Sequence, residues 1–301
     1  MGHLTHYARF TVQVSLFSKV LAERDLEDAV ELTADIGYDG IEFMGRDPHL
    51  SPGTSHERAR ELKSYVDRHD LDVPCIATYC GAYVEGSERE CRANLEELER
   101  LLELAEILDC EILRHGPSGT SPWKAADEDF EVAARWMREA ADLAAEYDKT
   151  LGIEIHAQKL AETTDSTLRL LELIERDNVG AILDSGNMYL VDEDYGRDAV
   201  QQLGDSLVHL HVKDEAPGED PDHPDTFSIT REDGPARFRA SAMGEGEVEH
   251  DRLFAALAEA GYDSYVTAEA GVSFEESDGD AAIAEHELAE LRQLIAAADD
   301  S

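Results

Sequence analysis

Short apolar runs alternate with amphipathic stretches along nearly the whole chain. Eight runs predict strands: residues 10–16, 40–43, 72–77, 111–114, 151–155, 180–183, 207–212 and 265–268. Between them, apolar side chains recur every three to four positions, the spacing of one helical face. Over 88–108 that stripe is Leu95, Leu98, Leu101, Leu102, Leu104 and Ala105; over 127–147 it is Val132, Ala133, Trp136, Ala140, Leu143 and Ala144. A third helix, 164–174, opens with Thr/Asp capping chemistry. Helices over 252–260 and 281–298 complete the predicted set. Strand–helix alternation from end to end predicts a parallel sheet with crossover helices, and eight units predict one (β/α)8 TIM barrel spanning 1–301.

Two details refine the pattern. Ala34-Asp35-Ile36-Gly37-Tyr38-Asp39 and Ala258-Glu259-Ala260-Gly261-Tyr262-Asp263 form a weak internal repeat. In each, a glycine follows an apolar helix end, where a left-handed cap is expected. The stretch 213–243 has no clear period and is broken by Pro217, Pro221, Pro224 and Pro235. It is expected to be a long loop, inserted after the seventh strand and lying over the C-terminal face of the barrel.

Composition changes the picture mainly through charge. The 301 residues are 42% hydrophobic, enough for a full core, yet carry 68 acidic against 26 basic residues, a net −42. There are six lysines and twenty arginines. This balance resembles proteins of salt-loving microbes, whose ionic strength screens repulsion over about 3 Å at 1 M. It argues against nucleic acid and anionic membrane surfaces as partners, both of which need a basic stripe. Cys75, Cys80, Cys91 and Cys110 form no C-x-x-C pair and are expected to be reduced and buried. No signal peptide and no apolar stretch of spanning length is read, so the expected compartment is the cytoplasm.

Chemistry concentrates at four strand ends. The fifth strand reads Leu151-Gly152-Ile153-Glu154-Ile155-His156 and the sixth Leu183-Asp184-Ser185-Gly186-Asn187. The seventh reads His209-Leu210-His211-Val212-Lys213-Asp214 and the eighth Tyr265-Val266-Thr267-Ala268-Glu269. A carboxylate is costly to bury unpaired, and a shared cation removes that cost. Glu154, Asp184, His211 and Glu269 therefore predict a divalent-metal site on neighbouring strands. Three oxygens and one imidazole suit Mn²⁺ best, with Mg²⁺, Co²⁺ or Zn²⁺ as alternatives. Strand parity places His156 on the side of Glu154 and His209 on that of His211, one layer deeper. His156, Asn187, Glu42, Arg114 and His115 are candidate substrate contacts, and Lys213 is a candidate for stabilising a developing oxyanion. Glu42 reads equally well as a structural partner, and His209 as a packed residue. No Gly-x-Ser-x-Gly elbow, P-loop or dinucleotide fingerprint is present. Phosphate binding at Gly244-x-Gly246 is a weak alternative.

These segments together resemble the xylose isomerase-like sugar phosphate isomerase/epimerase family. The likeness rests on Gly37-Tyr38-Asp39-Gly40-Ile41-Glu42, Gly152-Ile153-Glu154-Ile155-His156, Leu183-Asp184-Ser185-Gly186-Asn187, His209-Leu210-His211-Val212-Lys213-Asp214 and Met243-Gly244-Glu245-Gly246-Glu247-Val248. It covers about residues 10 to 296. Asn187 departs from the pattern, since many members carry histidine there. The resemblance implies a divalent-metal-dependent isomerase or epimerase acting on a small polyhydroxylated carbonyl substrate. Proton abstraction beside the carbonyl would run through a metal-bound cis-enediolate, with Glu154 and Glu269 handling protons. The alternative on the same scaffold is a dehydratase (lyase) of a keto-inositol or dehydroshikimate-like substrate. An endonuclease IV-like repair enzyme fits poorly with −42, and a non-catalytic metal- or sugar-binding barrel is a further rival. The family also implies a homo-oligomer.

Overall fold

The computed structural model describes residues 10–271 and 279–299. Seven strands come first: β1 (Gln13–Phe17), β2 (Gly40–Met44), β3 (Cys75–Ala77), β4 (Ile112–Arg114), β5 (Thr150–Glu154), β6 (Val179–Asp184) and β7 (Leu207–Val212). An inserted group follows, β8 (Asp214–Pro217), β9 (Thr226–Arg231) and β10 (Gly234–Ser241), and β11 (Tyr265–Ala268) is the eighth barrel strand. All eight barrel strands pair in parallel and close in the order β1-β11-β7-β6-β5-β4-β3-β2. The predicted (β/α)8 TIM barrel is the fold, and the eight predicted strands coincide with its staves to within a few residues at each end.

The connecting helices are α1 (Leu26–Ile36), α2 (His56–Arg68), α3 (Glu88–Ile107), α4 (Asp127–Ala145), α5 (Thr164–Ile174), α6 (Ser185–Leu190), α7 (Arg197–Leu203), α8 (His250–Ala260) and α9 (Asp280–Asp299). Several of them start on short polar side chains that accept orphan backbone N–H groups. Asp25, Ser55, Ser87 and Thr163 each do so, and Ser87 forms a reciprocal capping box with Glu90. Gly37 and Gly261, singled out by the internal repeat, both take the left-handed conformation that ends α1 and α8. Helices α2, α6 and α7 go beyond the predicted set, and α1 is predicted only through its end before Gly37. In α2 the buried stripe is only Ala59, Leu62 and Val66 among charged residues, and α6 and α7 are too short to show a period.

Segment 213–243 is more ordered than its sequence pattern predicts. It contains a three-stranded antiparallel sheet, β8-β10-β9. Pro217 closes β8, Pro221 and Pro224 lie in the β8–β9 connection, and Pro235 is the second residue of β10, opposite Thr230. The period is illegible because one small apolar cluster anchors the sheet: Ile229 and Phe238 packed on Ala157 and Leu190. Thr230 N donates to Gln158 Oε1 at 3.2 Å, and Arg231 Nε to the Leu190 carbonyl at 2.6 Å. The insertion thus leans on the segments that follow β5 and β6.

Between the barrel and its helices the strands bury Leu16, Ile41, Phe43, Ile76, Leu113, Leu151, Leu210 and Val266, all fully. Alternation turns their neighbours Ser15, Glu42, His209 and Thr267 into the barrel interior, where they form one polar group, equally buried. A bulge between β6 and β7 sets Ile182 opposite His209 and Asp184 opposite His211. The four cysteines are buried and free. Among the described residues no helix is long and apolar enough to cross a membrane.

Asp214 ties the insertion back to the barrel. Its buried carboxylate accepts the backbone N–H groups of Gly244 (2.9 Å), Gly246 (3.0 Å), Val248 (3.1 Å) and Glu215 (2.9 Å). Replacing Asp214 by Ala should cost about 3 kcal/mol of stability, since several buried donors lose a charged acceptor together. Asp214→Asn should lose less. A thermal midpoint unchanged in Asp214→Ala would show that water replaces the carboxylate without penalty.

Candidate metal centre

Glu154 ends β5, Asp184 ends β6, His211 is the penultimate residue of β7 and Glu269 follows β11. These strands are neighbours, β11-β7-β6-β5, so their C-terminal ends meet. One ligand-capable atom from each of the four residues lies within 4.8 Å of every other. Asp184 and His211 have no exposed surface, and Glu154 and Glu269 are 7% exposed.

His211 stands at the middle. Its Nδ1 faces Glu154 Oε1 at 3.3 Å and Glu269 Oε2 at 3.4 Å. Its Nε2 faces the Glu42 carboxylate at 3.0 and 3.1 Å. Glu42 also accepts from His209 Nε2 at 3.0 Å, and that nitrogen meets Thr267 Oγ1 at 2.9 Å, which is hydrogen-bonded to Ser15 at 2.7 Å. Burial alone would raise the Glu42 pKa, but His211 and His209 outweigh it, and the carboxyl is held well below its usual range. Burial alone would lower the pKa of His211, but Glu42, Glu154 and Glu269 raise it well above that of a free histidine. The ring is therefore an imidazolium when only protein surrounds it.

Three cations balance the outer carboxylates. Arg114 Nη1 donates to Glu154 Oε2 at 2.5 Å, Lys19 Nζ to Glu269 Oε1 at 3.0 Å, and Lys213 Nζ to Asp184 Oδ2 at 2.7 Å. Lys213 also lies 3.6 Å from Glu269 Oε2. Against burial, Arg114 holds Glu154 down, and Lys213 and Lys19 hold Glu269 down. For Asp184, burial dominates over Lys213 and the carboxyl is raised. Gly186 makes the Lys213 contact available, because a methyl group there would collide with the lysine stem. Glu269 Oε2 is buried and faced only at longer range, by His211 Nδ1 at 3.4 Å and Lys213 Nζ at 3.6 Å, which leaves it able to accept something more.

A cleft of about 330 Å³ opens above this floor, lined by Lys19, Arg46, Tyr79, Arg114, Glu154, His156, Lys159 and Glu269 among others. His156 enters it, with Nδ1 donating to the Ala157 carbonyl at 2.7 Å, so Nε2 is left as an acceptor. Asn187 does not line the cleft. Its backbone N–H caps on Asp184 Oδ1 at 2.8 Å and its buried Nδ2 has no protein partner. Glu42 and His115 stand apart from the cleft. Glu42 is enclosed behind His211, and His115 is held by Thr78 and Tyr83 at 2.9 Å each, with burial pushing its pKa down to about 3. The Gly244-x-Gly246 amides are filled by Asp214 and are not free to cradle a phosphate. Lys19, Arg46 and Lys159 join the site without having been legible in the sequence. Lysine scarcity was the available signal, since Lys19, Lys159 and Lys213 are three of only six.

A 2-oxo-tetronate isomerase of Haemophilus influenzae is 26% identical to this chain over 255 residues, covering 80% of this chain and 86% of the relative. Other relatives are named as isomerases, epimerases and dehydratases. Among solved structures, the IOLI protein with a bound zinc atom superposes with a TM-score of 0.78 at 18% identity, covering 94% and 98% of the two chains. A probable 3-DHS dehydratase, AsbF of Bacillus anthracis, superposes at 0.74 and 18%, covering 93% and 98%. The family described as the xylose isomerase-like TIM barrel matches residues 30–294, and this chain belongs to it.

Proposed function

We propose that the protein is a divalent-metal-dependent isomerase or epimerase that moves a proton at a carbon beside the carbonyl of a small polyhydroxylated substrate. The observation that carries this reading is the convergence of Glu154, Asp184, His211 and Glu269 under an open cleft. Relatives named as isomerases and epimerases support it.

The donor set fits a metal. Four buried carboxylates, counting Glu42, face three cations, and the His211 proton supplies the remaining positive charge. A dication answers the same demand, and Glu269 Oε2 has a free lone pair for it. Glu154, Asp184, His211 and Glu269 would hold the ion, Mn²⁺ by preference for a mostly oxygen set. When bound it acts as a Lewis acid on the substrate carbonyl and acidifies the adjacent C–H. Glu42 is an ionised carboxylate and can only accept, so Nε2 of His211 donates to it and Nδ1 is left for coordination.

Glu154 and Glu269 come from strands that flank β6 and β7, and both reach the cleft. One takes the proton from carbon; the other returns it to the opposite face or to the neighbouring carbon. Arg114 and Lys19 each hold one oxygen of these carboxylates and leave the other facing inward. The Lys213 ammonium steadies the oxygen on which negative charge develops. A dehydratase is the second reading. It is favoured by Asn187, whose amide cannot serve as the cationic acid that histidine supplies in many members.

Two experiments test this. In D₂O with Mn²⁺, Glu154→Gln or Glu269→Gln should cut deuterium incorporation into a keto-sugar by about 10²- to 10⁴-fold, the usual worth of a positioned acid or base. Full exchange in both variants would remove the proton-transfer role. Accumulation of an ultraviolet-absorbing enone would select the dehydratase. Separately, Glu42→Gln should weaken Mn²⁺ binding about 10- to 100-fold by calorimetry, as loss of an outer partner of a ligating histidine does. Unchanged affinity would mean that Glu42 does not orient His211.

A further inference from the structure

The cleft has a charge opposite to that of the molecule. Acidic residues outnumber basic ones 68 to 26 along the chain. Among the described residues around the cleft, the charged ones are Lys19, Arg46, Arg114 and Lys159 with Glu154 and Glu269. Those two carboxylates are already taken by Arg114 and Lys19. Among the described residues, Arg46 and Lys159 have no carboxylate partner. The Arg46 guanidinium lies 3.9 Å above the Tyr79 ring, and Lys159 Nζ meets Ser118 Oγ at 3.4 Å.

A neutral polyol needs hydrogen bonds from such a site but no uncompensated cations. An anion needs them more here than elsewhere, because a protein of net −42 repels it until local charges offset the field. Two anions come into question, and the structure discriminates between them. In barrels, phosphate commonly sits on backbone amides of the loops after the seventh and eighth strands. After β7 the corresponding amides, those of Gly244, Gly246 and Val248, are occupied by the Asp214 side chain. Among the described residues, what remains is side-chain recognition. A guanidinium held over an aromatic ring presents a planar fork, the match for the two oxygens of a carboxylate. The cleft volume of about 330 Å³ lies at the small end for ligand sites, which suits a sugar acid rather than a glycoside.

We propose that the substrate is a keto-sugar acid whose carboxylate is bound by Arg46, with Lys159 as the second cation at the cleft mouth. This rests on the proton-transfer reading above and specifies its substrate. Arg46 and Lys159 are specificity residues in this scheme, not acid or base.

The test uses matched trios of four-, five- and six-carbon ketoses: the neutral sugar, the same sugar ending in a carboxylate, and the same sugar ending in a phosphate. Deuterium exchange and equilibrium binding are measured for each with the Mn²⁺-loaded protein at one fixed ionic strength, since salt screens the effect. The carboxylate member should exceed the neutral one in kcat/KM by about 10- to 100-fold, the worth of a charge-assisted hydrogen bond. Arg46→Gln should collapse that ratio through KM, and Lys159→Gln should reduce it. Preference for the neutral or phosphorylated member, or equal losses on all three in Arg46→Gln, would overturn the inference. Absence of exchange from every compound would sink the proton-transfer reading instead. Binding then decides: carboxylates bound about tenfold more tightly than neutral sugars uphold the anion site, and equal binding removes it.

Discussion

Glu42, Asp184 and Glu269 are buried, and Glu154 largely so, around a single imidazole, and their mutual repulsion has to be neutralised where little water can do it. Much of what distinguishes this barrel answers that requirement. Arg114 comes from β4, Lys19 from just after β1 and Lys213 from just after β7, each reaching one carboxylate. Glu42 is neutralised from behind by His211 and takes a further hydrogen bond from His209. Gly186 has no side chain because Lys213 passes there. A dication at the same point would relieve the remaining demand, which is why the donor set reads as a metal centre rather than as a structural ion-pair network.

The floor and the mouth of the cleft are built differently. The floor comes from strand ends, whose positions are fixed by barrel closure and by the β6–β7 bulge. The mouth comes from the segments after β2 to β5, which bring Arg46, Tyr79, Ser118 and Lys159 around one opening. The inserted sheet stands beside it, anchored by Ile229 and Phe238 and tied down by Asp214. Asp214 thereby removes the backbone anion site that the Gly-x-Gly segment would otherwise offer. One side chain serves stability and, in our reading, narrows the ligand chemistry as well.

The fold was largely legible because barrel strands are short, apolar and bounded by helices with wide apolar stripes. Strands 207–212 and 265–268 match residue for residue. Legibility failed where burial is thin. Helix α2 covers the barrel with three small-to-medium residues, and the β8–β10 sheet buries one modest cluster, so neither imposes a strong period. The four strand-end residues were legible as candidates because a carboxylate or histidine that closes an apolar run is costly to bury unless a partner meets it there. Their partners were not. Lys19 and Arg46 follow strands far away in sequence, and nothing local distinguishes them from surface cations.

By itself, then, the sequence determined the eightfold alternation, the membership of each strand and the residue types at strand ends, since these follow from hydrophobic period and local capping. Only the tertiary structure decided which charges meet. Glu42 was open between substrate contact and structural partner, and the structure encloses it behind His211. Arg114 reads in the sequence as a free substrate contact, and it holds Glu154. Segment 213–243 reads as a loop, and it is a sheet. Electrostatic pairing depends on distances of a few ångströms between residues up to 250 positions apart, such as Lys19 and Glu269. Those distances are set by closing the barrel and are not encoded in any local pattern.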